Sequence, residues 1–367
     1  MTSIPPDSSG PQGGRDAWRP PAVSAEQNLP PVEPPSAGFL LQLFVVPAVI
    51  VAGVVLIWFT IESLARSGEQ DPDAILRALR GSNGFQQAKD LADMLRVPQR
   101  YPELKTNREL AAGLAAYLEE LLEGADDAEG VVTMRFFLVT ALGELHVDDG
   151  VPVLVRAALE DPDRDVRRRA LNALAVLGGT LAKLEPPQHL AGDELADALV
   201  KLARDEDELV RSETAFAIGV VAAAPEADSR LTEALAELAD DPYTDARFNA
   251  AVALARLGSP RAAAAVAEML DPEAVAASLT GEKPITEDQS EVELRSQRAY
   301  KRNTILTSAL AAVELIVQQG ATGEGRATLE RALTKFIAAA PSIQEPSPVP
   351  SELLDAAKRT LARVQAP

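Results

Sequence analysis

The chain has 367 residues, a formal charge of −20, no cysteine, and 47% hydrophobic residues but only 4% aromatic ones. The acid excess opposes binding to phosphate backbones, and the lack of cysteine excludes disulfides. Strand-like alternation is absent over any useful length, and the Ala, Leu and Val that dominate the apolar set suit close helix packing.

Residues 1–37 read as a disordered tail. Met1–Ser36 holds nine of the 27 prolines and few apolar residues, too little to order itself by burial. Pro30-Pro-Val-Glu-Pro-Pro35 favours polyproline II.

After Glu33 no ionisable residue appears until Glu62. Within that stretch Phe39–Thr60 supplies 22 residues, fifteen of them Leu, Ile, Val or Phe. As a helix they would span about 33 Å at 1.5 Å per residue, against a hydrocarbon core of about 30 Å. Trp58 and Phe59 fall where an interfacial aromatic is expected. Residues 38–61 are therefore expected to form one transmembrane helix. Ser63-Leu-Ala65 permits a cleaved-signal reading, which the length of the run and the tail before it oppose. Arg19 precedes the span, whereas Arg66, Arg77 and Arg80 follow it, so the positive-inside rule puts the C-terminal part in the cytoplasm. Ala48 and Ala52 form a small-xxx-small pair that would let two such helices approach in a homo-oligomer.

Residues 62–105 read as a linker and first helices: a polar break at Ser67–Asp73 serving as a hinge, then helical patterns at Asp73–Leu79 and Gln86–Leu95. Beyond them one pattern recurs. Asp161-Pro-Asp-Arg-Asp-Val-Arg167 leads into Ala170, Ala173 and Leu174; Asp205-Glu-Asp-Glu-Leu-Val-Arg211 into Thr214, Ala217 and Ile218; Asp241-Pro-Tyr-Thr-Asp-Ala-Arg247 into Ala250, Ala253 and Leu254. Fainter copies follow Arg135 (Leu138, Ala141, Leu142) and Arg302 (Ile305, Ser308, Ala309). Offsets of +3, +6 and +7 from the Arg share one helix face, and the acidic turn supplies N-caps. A second helical pattern lies before most of these: Glu109–Glu123, Val151–Leu159, Asp193–Ala203, Leu231–Ala239 and Arg261–Leu270. Two helices and a tight turn per unit predict an all-α fold, an α-solenoid of stacked hairpins over residues 106–320 with capping helices at 321–367. Gly178–Ala191 and Asp271–Gln297 read as loops inserted in the array. A generic Ala-rich bundle is the rival reading.

The Asp-rich turn followed by Val-Arg and Ala-x-x-Ala-Leu resembles the bacterial type of HEAT repeat, clearly over Glu109–Ala265 and more weakly to the end. The resemblance implies a ladder between neighbouring repeats, with Asp161, Asp205 and Asp241 near Arg167, Arg211 and Arg247. It also implies that the second helices line the concave surface. Positions +1, +5 and +8 point away from the core face and would form an exposed ridge. It comprises Phe136, Thr140 and Gly143; Arg168, Asn172 and Ala175; Ser212, Phe216 and Gly219; Phe248, Val252 and Ala255; Asn303, Thr307 and Leu310. Phe136, Arg168, Asn172, Phe216, Phe248 and Val252 are the candidate partner-binding residues, with packing between repeats as the competing role for the aromatics.

Chemistry is sparse. His146 lies beside Asp148 and Asp149, but with two histidines and no cysteine a helix-terminal His interacting with the dipole is the better reading than a metal site. His189 sits in a Pro-Pro loop and reads as solvated. Asp161-Pro-Asp163-Arg-Asp165 imitates the start of an EF-hand loop, yet Val166 and Asn172 stand where its Gly and Glu belong. No phosphate loop or nucleophile elbow appears. The tail's two Arg and four acids account for −2, leaving −18 on the rest; that surface repels anionic headgroups as well as nucleic acid, and serves solubility before recognition. The expectation is a single-pass protein of a bacterial inner membrane, not an enzyme, without cofactor or metal, whose cytoplasmic solenoid holds a protein partner. The alternative is a HEAT-type lyase attaching bilins, or an accessory subunit of a membrane enzyme.

Overall fold

The computed structural model describes residues 38, 41, 45–69, 71–97, 100–124, 127–280 and 289–366, with residues 60–69 in backbone only. The chain divides into two compact units, Met1–Ala65 and Arg66–Pro367. The expected tail, residues 1–37, lies outside the described residues, as do residues 39, 40 and 42–44 of the expected span.

Helix α1, Val46–Glu69, starts seven residues after Phe39 and runs on past the apolar stretch. Its described side chains, residues 46–59, would cover only about 21 Å, and among the described residues no helix is long and apolar enough to cross a membrane. Val49, Val54, Leu56 and Phe59 are 60–65% exposed. The expected hinge is shorter than read, because residues 67–69 belong to α1 and Asp71 already caps the next helix by accepting from the Asp73 N–H at 3.2 Å.

The second unit is an all-α helical repeat array, solenoid-like, with no strand among the described residues. Pro72–Leu79 (α2), Gly84–Arg96 (α3) and the short Pro102–Lys105 (α4) lead into hairpins. These pair Arg108–Glu123 (α5) with Glu129–Gly143 (α6), Val151–Glu160 (α7) with Arg164–Leu181 (α8), Asp193–Leu202 (α9) with Glu208–Val221 (α10), and Ser229–Leu238 (α11) with Thr244–Arg256 (α12). Ala262–Met269 (α13), Pro272–Thr280 (α14), Glu291–Gln318 (α15), Gly323–Ala339 (α16) and Ser351–Gln365 (α17) complete it. Asp163 and Asp207 cap α8 and α10, each accepting two backbone N–H groups of the first turn. Ser290 opens α15 in a reciprocal capping box with Glu293.

The +3, +6 and +7 positions are buried in every repeat, Ser308 alone being half-buried. They form one continuous core, because neither helix of a hairpin can cover its apolar stripe without a neighbour. Consecutive second helices also pack directly on one another. A Cβ added at Gly143 would lie 2.7 Å from Ala173 Cα, and one at Gly219 would lie 2.6 Å from Ala253 Cβ. Small residues at +8 therefore face small residues at +6 of the following repeat, and the backbones approach closely.

Both expected insertions need correcting. Helix α8 continues through Gly178-Gly179 to Leu181, so the loop there is shorter. Within Asp271–Gln297 the chain forms α14 and the start of α15, capped at Ser290, while residues 281–288 lie outside the described residues.

Candidate functional site

Each turn aspartate holds its own turn first. The carboxylates of Asp161, Asp205 and Asp241 accept the N–H two residues on, at 2.9, 2.8 and 2.8 Å. The Arg six residues later then clamps that turn: Arg167, Arg211 and Arg247 donate to the backbone carbonyls of Asp161, Asp205 and Asp241 at 3.3, 2.9 and 2.7 Å. Their remaining N–H groups reach carboxylates in the unit that follows. Arg135 Nε lies 2.9 Å from Asp161, Arg167 lies 3.8 Å from Asp205, Arg211 grips both Asp241 oxygens at 2.7 and 3.0 Å, and Arg247 reaches Glu268 at 2.6 Å. The ladder thus couples Arg167, Arg211 and Arg247 each to its own turn through a carbonyl and to the following unit through a carboxylate. The carboxylate partner stands one repeat beyond the pairing that the resemblance implied. The reason is geometric: each turn carboxylate is already engaged by its own loop and presents its free edge to the preceding repeat. The bond to Asp241 raises the pKa of Arg211, against a smaller loss from burial.

The +1, +5, +8 ridge departs from expectation. Thr140, Gly143, Ala175, Ser212, Gly219, Phe248, Ala255 and Leu310 are buried, and among the ridge positions only Thr307 is fully exposed. Close packing of adjacent second helices, which a helical wheel of one isolated helix omits, covers these positions. Phe248, named for partner binding, is 4% exposed and belongs to the core. The other candidates are half-buried. Phe136 stacks beneath the Arg169 guanidinium, 4.6 Å from ring centroid to Cζ. Arg168 lies 3.1 Å from Asp165 and 3.7 Å from Glu213. Phe216 and Val252 border a cleft of about 200 Å³ with Phe248, Asn249, Arg256, Met269 and Ile305. Asn172 sits half-buried in the same layer.

Sequence reading passed over Arg169 and Glu213, each two residues after a ladder Arg. The Glu213 carboxyl is pushed above its ordinary value by burial, with Arg168 and Arg169 opposing. Arg169 is pulled down by burial and then by the charge of Arg96. The missed signal was available at +2, where Phe137, Arg169, Glu213 and Asn249 recur beside the ridge.

The remaining polar clusters serve structure. Among the described residues no group of acids and histidines could hold a metal ion. His146 follows α6, and its backbone N–H donates to the Lys105 carbonyl at 2.8 Å. Burial, and then the charge of Lys105, lower its pKa. His189 is exposed and borders a cleft of about 440 Å³ with Asp148, Val151 and Leu195.

Comparison with known proteins adds a family to this geometry. The profile of the family described as HEAT repeats matches residues 195–279, which run from α9 into α14. No curated protein matches the chain. Solved structures resembling it include an engineered protein, 21% identical with a TM-score of 0.31, covering 76% of this chain and 96% of its own. The Escherichia coli protein YibA is 18% identical with a TM-score of 0.33, covering 77% of this chain and 98% of its own. Superpositions this loose bear on neither fold nor function. The capped Asp turn, the Arg that clamps it, the buried +3, +6 and +7 stripe and the family match agree for one segment: residues 195–279 are HEAT repeats, set in a helical array whose other turns follow the same pattern.

Proposed function

We propose that this HEAT-repeat array is a noncatalytic scaffold, anchored in a membrane by its N-terminal apolar segment, that holds a protein partner on its second-helix layer. The observation that carries the partner reading is the tract of half-buried aromatic and charged side chains from Phe136 to the Phe216 cleft. Such partly covered aromatics beside charged rims are the residue types that anchor protein interfaces. The anchor reading draws on the exposed apolar side chains of α1 and on the 22-residue stretch Phe39–Thr60 to which they belong. Water would penalise that surface, whereas lipid would not. Arg66, Arg77 and Arg80 orient the array to the cytoplasm under the same reading.

Affinity capture of the full chain from solubilised membranes tests the scaffold. Phe136→Ala/Phe216→Ala is expected to lower recovery of specific partners about tenfold or more, as loss of interface anchors does, with far-UV circular dichroism unchanged. Identical partner sets for variant and wild type would overturn it. Release of the chain by carbonate washing would overturn the anchor.

A further inference from the structure

We propose that the second-helix face between α6 and α12 receives an extended acidic segment of the partner, with a carboxylate on Arg169 and an apolar side chain in the Phe216–Phe248 cleft. This rests on the scaffold reading and adds the partner's chemistry. The Arg169 Cζ lies over the Phe136 ring at 4.6 Å, and that ring is itself braced edge-on by Phe137 at 5.6 Å. A guanidinium stacked on an aromatic keeps its N–H fork free in the ring-parallel plane, ready for a planar two-oxygen acceptor. Its neighbours are already engaged: Arg96 lies 3.6 Å from both Glu144 and Asp93, and Arg168 reaches Asp165 and Glu213. Among the described residues the Arg169 side chain has neither an ion pair nor a hydrogen bond. It is a half-buried cation over a ring, attracted by the charges of Glu213 and Glu144 but bonded to neither.

Glu213 leads one helical turn along α10 to Phe216, where the cleft of about 200 Å³ begins. The amide of Asn249 in that cleft is turned to Ser212, at 3.0 and 3.1 Å, which leaves Phe216, Phe248, Val252, Met269 and Ile305 to offer apolar walls. Arg256 borders the cleft, exposed, and its side chain likewise has no ion pair or hydrogen bond among the described residues. A basic segment would meet two unpaired arginines here, and an acidic one would complete them. The charge of −18 beyond the tail does not forbid this, because charges beyond a Debye length of about 8 Å are screened and the contact is decided locally. Arg169 sits over the α6–α8 seam and the cleft over the α10–α12 seam. Two helix spacings of about 8–10 Å correspond to about five or six residues of extended chain at roughly 3.3 Å each.

The test is fluorescence anisotropy of the full chain in detergent micelles with three labelled dodecapeptides. One carries an Asp pair about six residues from a Leu-Phe pair, the second replaces the Asp pair by Lys, and the third replaces Leu-Phe by Ser. The first is expected to bind, the other two at least about tenfold more weakly, and Arg169→Glu to weaken the first by at least about tenfold. Arg169→Lys should recover part of the loss, with circular dichroism unaltered throughout. Equal or tighter binding of the Lys peptide, no effect of Arg169→Glu, or no binding of any peptide would overturn the proposal. Partner capture separates the two ideas. If Arg169→Glu leaves recovery intact while Phe136→Ala/Phe216→Ala abolishes it, the acidic-segment inference falls and the scaffold stands; if neither changes recovery, both fall.

Discussion

From Arg135 to Arg247 every second helix passes its arginine to a carboxylate of the unit that follows, whereas Arg302 in α15 ends the series differently. Its guanidinium, 3% exposed as a residue, donates to the carbonyls of Ser347 and Pro348 and to the Asn303 amide oxygen. The two regions also differ at +8. Gly143, Ala175, Gly219 and Ala255 let the central second helices close on one another, while Leu310 occupies the same offset in α15. A repeat's own sequence therefore builds a hairpin, but what its arginine meets depends on whether the following unit offers a carboxylate. The segment before α17 supplies carbonyls instead, and desolvation lowers the Arg302 pKa, with no compensating acid among the described residues.

The sharpest way to break this contrast is to remove one partner of the arginine pairing in each region. Asp161 and Arg135 have side chains 0% and 1% exposed, so Asp161→Ala removes the carboxylate 2.9 Å from a buried cation and should cost about 3–5 kcal/mol. Arg302→Met leaves only neutral acceptors unpaired and should cost about 1–3 kcal/mol. Urea unfolding of both variants checks the order, and a larger loss for Arg302→Met would refute the account of the ladder.

Helix spacing gives a second comparison. Gly143→Ala puts a methyl against the Ala173 backbone and should destabilise by about 1–3 kcal/mol. Gly179, helical but with nothing within 4 Å of an added Cβ, should gain about 0.5–1 kcal/mol on change to Ala. Matched thermal melts test the pair, and equal shifts would show that the seam is not tightly closed.

The smallest effect concerns pH. Burial raises the Glu213 pKa above its ordinary 4.5, so between that value and the raised one the folded chain holds more protons than the unfolded chain. Stability contributed by this group therefore falls as pH rises through the window above 4.5. Glu213→Gln should flatten that part of the stability profile. An unchanged slope in a pH series of denaturation midpoints would contradict the burial of this carboxyl.

Helix boundaries were legible because local chemistry writes them. Asp163 and Asp207 cap, and the observed first helices begin and end within two residues of the patterns read at Glu109–Glu123, Val151–Leu159, Asp193–Ala203, Leu231–Ala239 and Arg261–Leu270. Inserted segments were harder, since Gly178-Gly179 resembles a loop signal yet stays helical, with Gly178 close against Val220 and Leu190 of neighbouring elements. Exposure along the ridge was not legible at all. One helical wheel shows which way Phe248 points from its own helix, but not that the packing of adjacent helices leaves it only 4% exposed.

The amino-acid order alone determined that the C-terminal unit is a row of helical hairpins, because caps, helix period and small apolar residues act within a few residues of one another. Only the tertiary structure decided which carboxylate each Arg reaches, that Phe248 is core, and that Arg169 rests on Phe136. Those outcomes depend on the distance between adjacent second helices, which Gly and Ala at the seam permit but only the packing of neighbouring repeats sets.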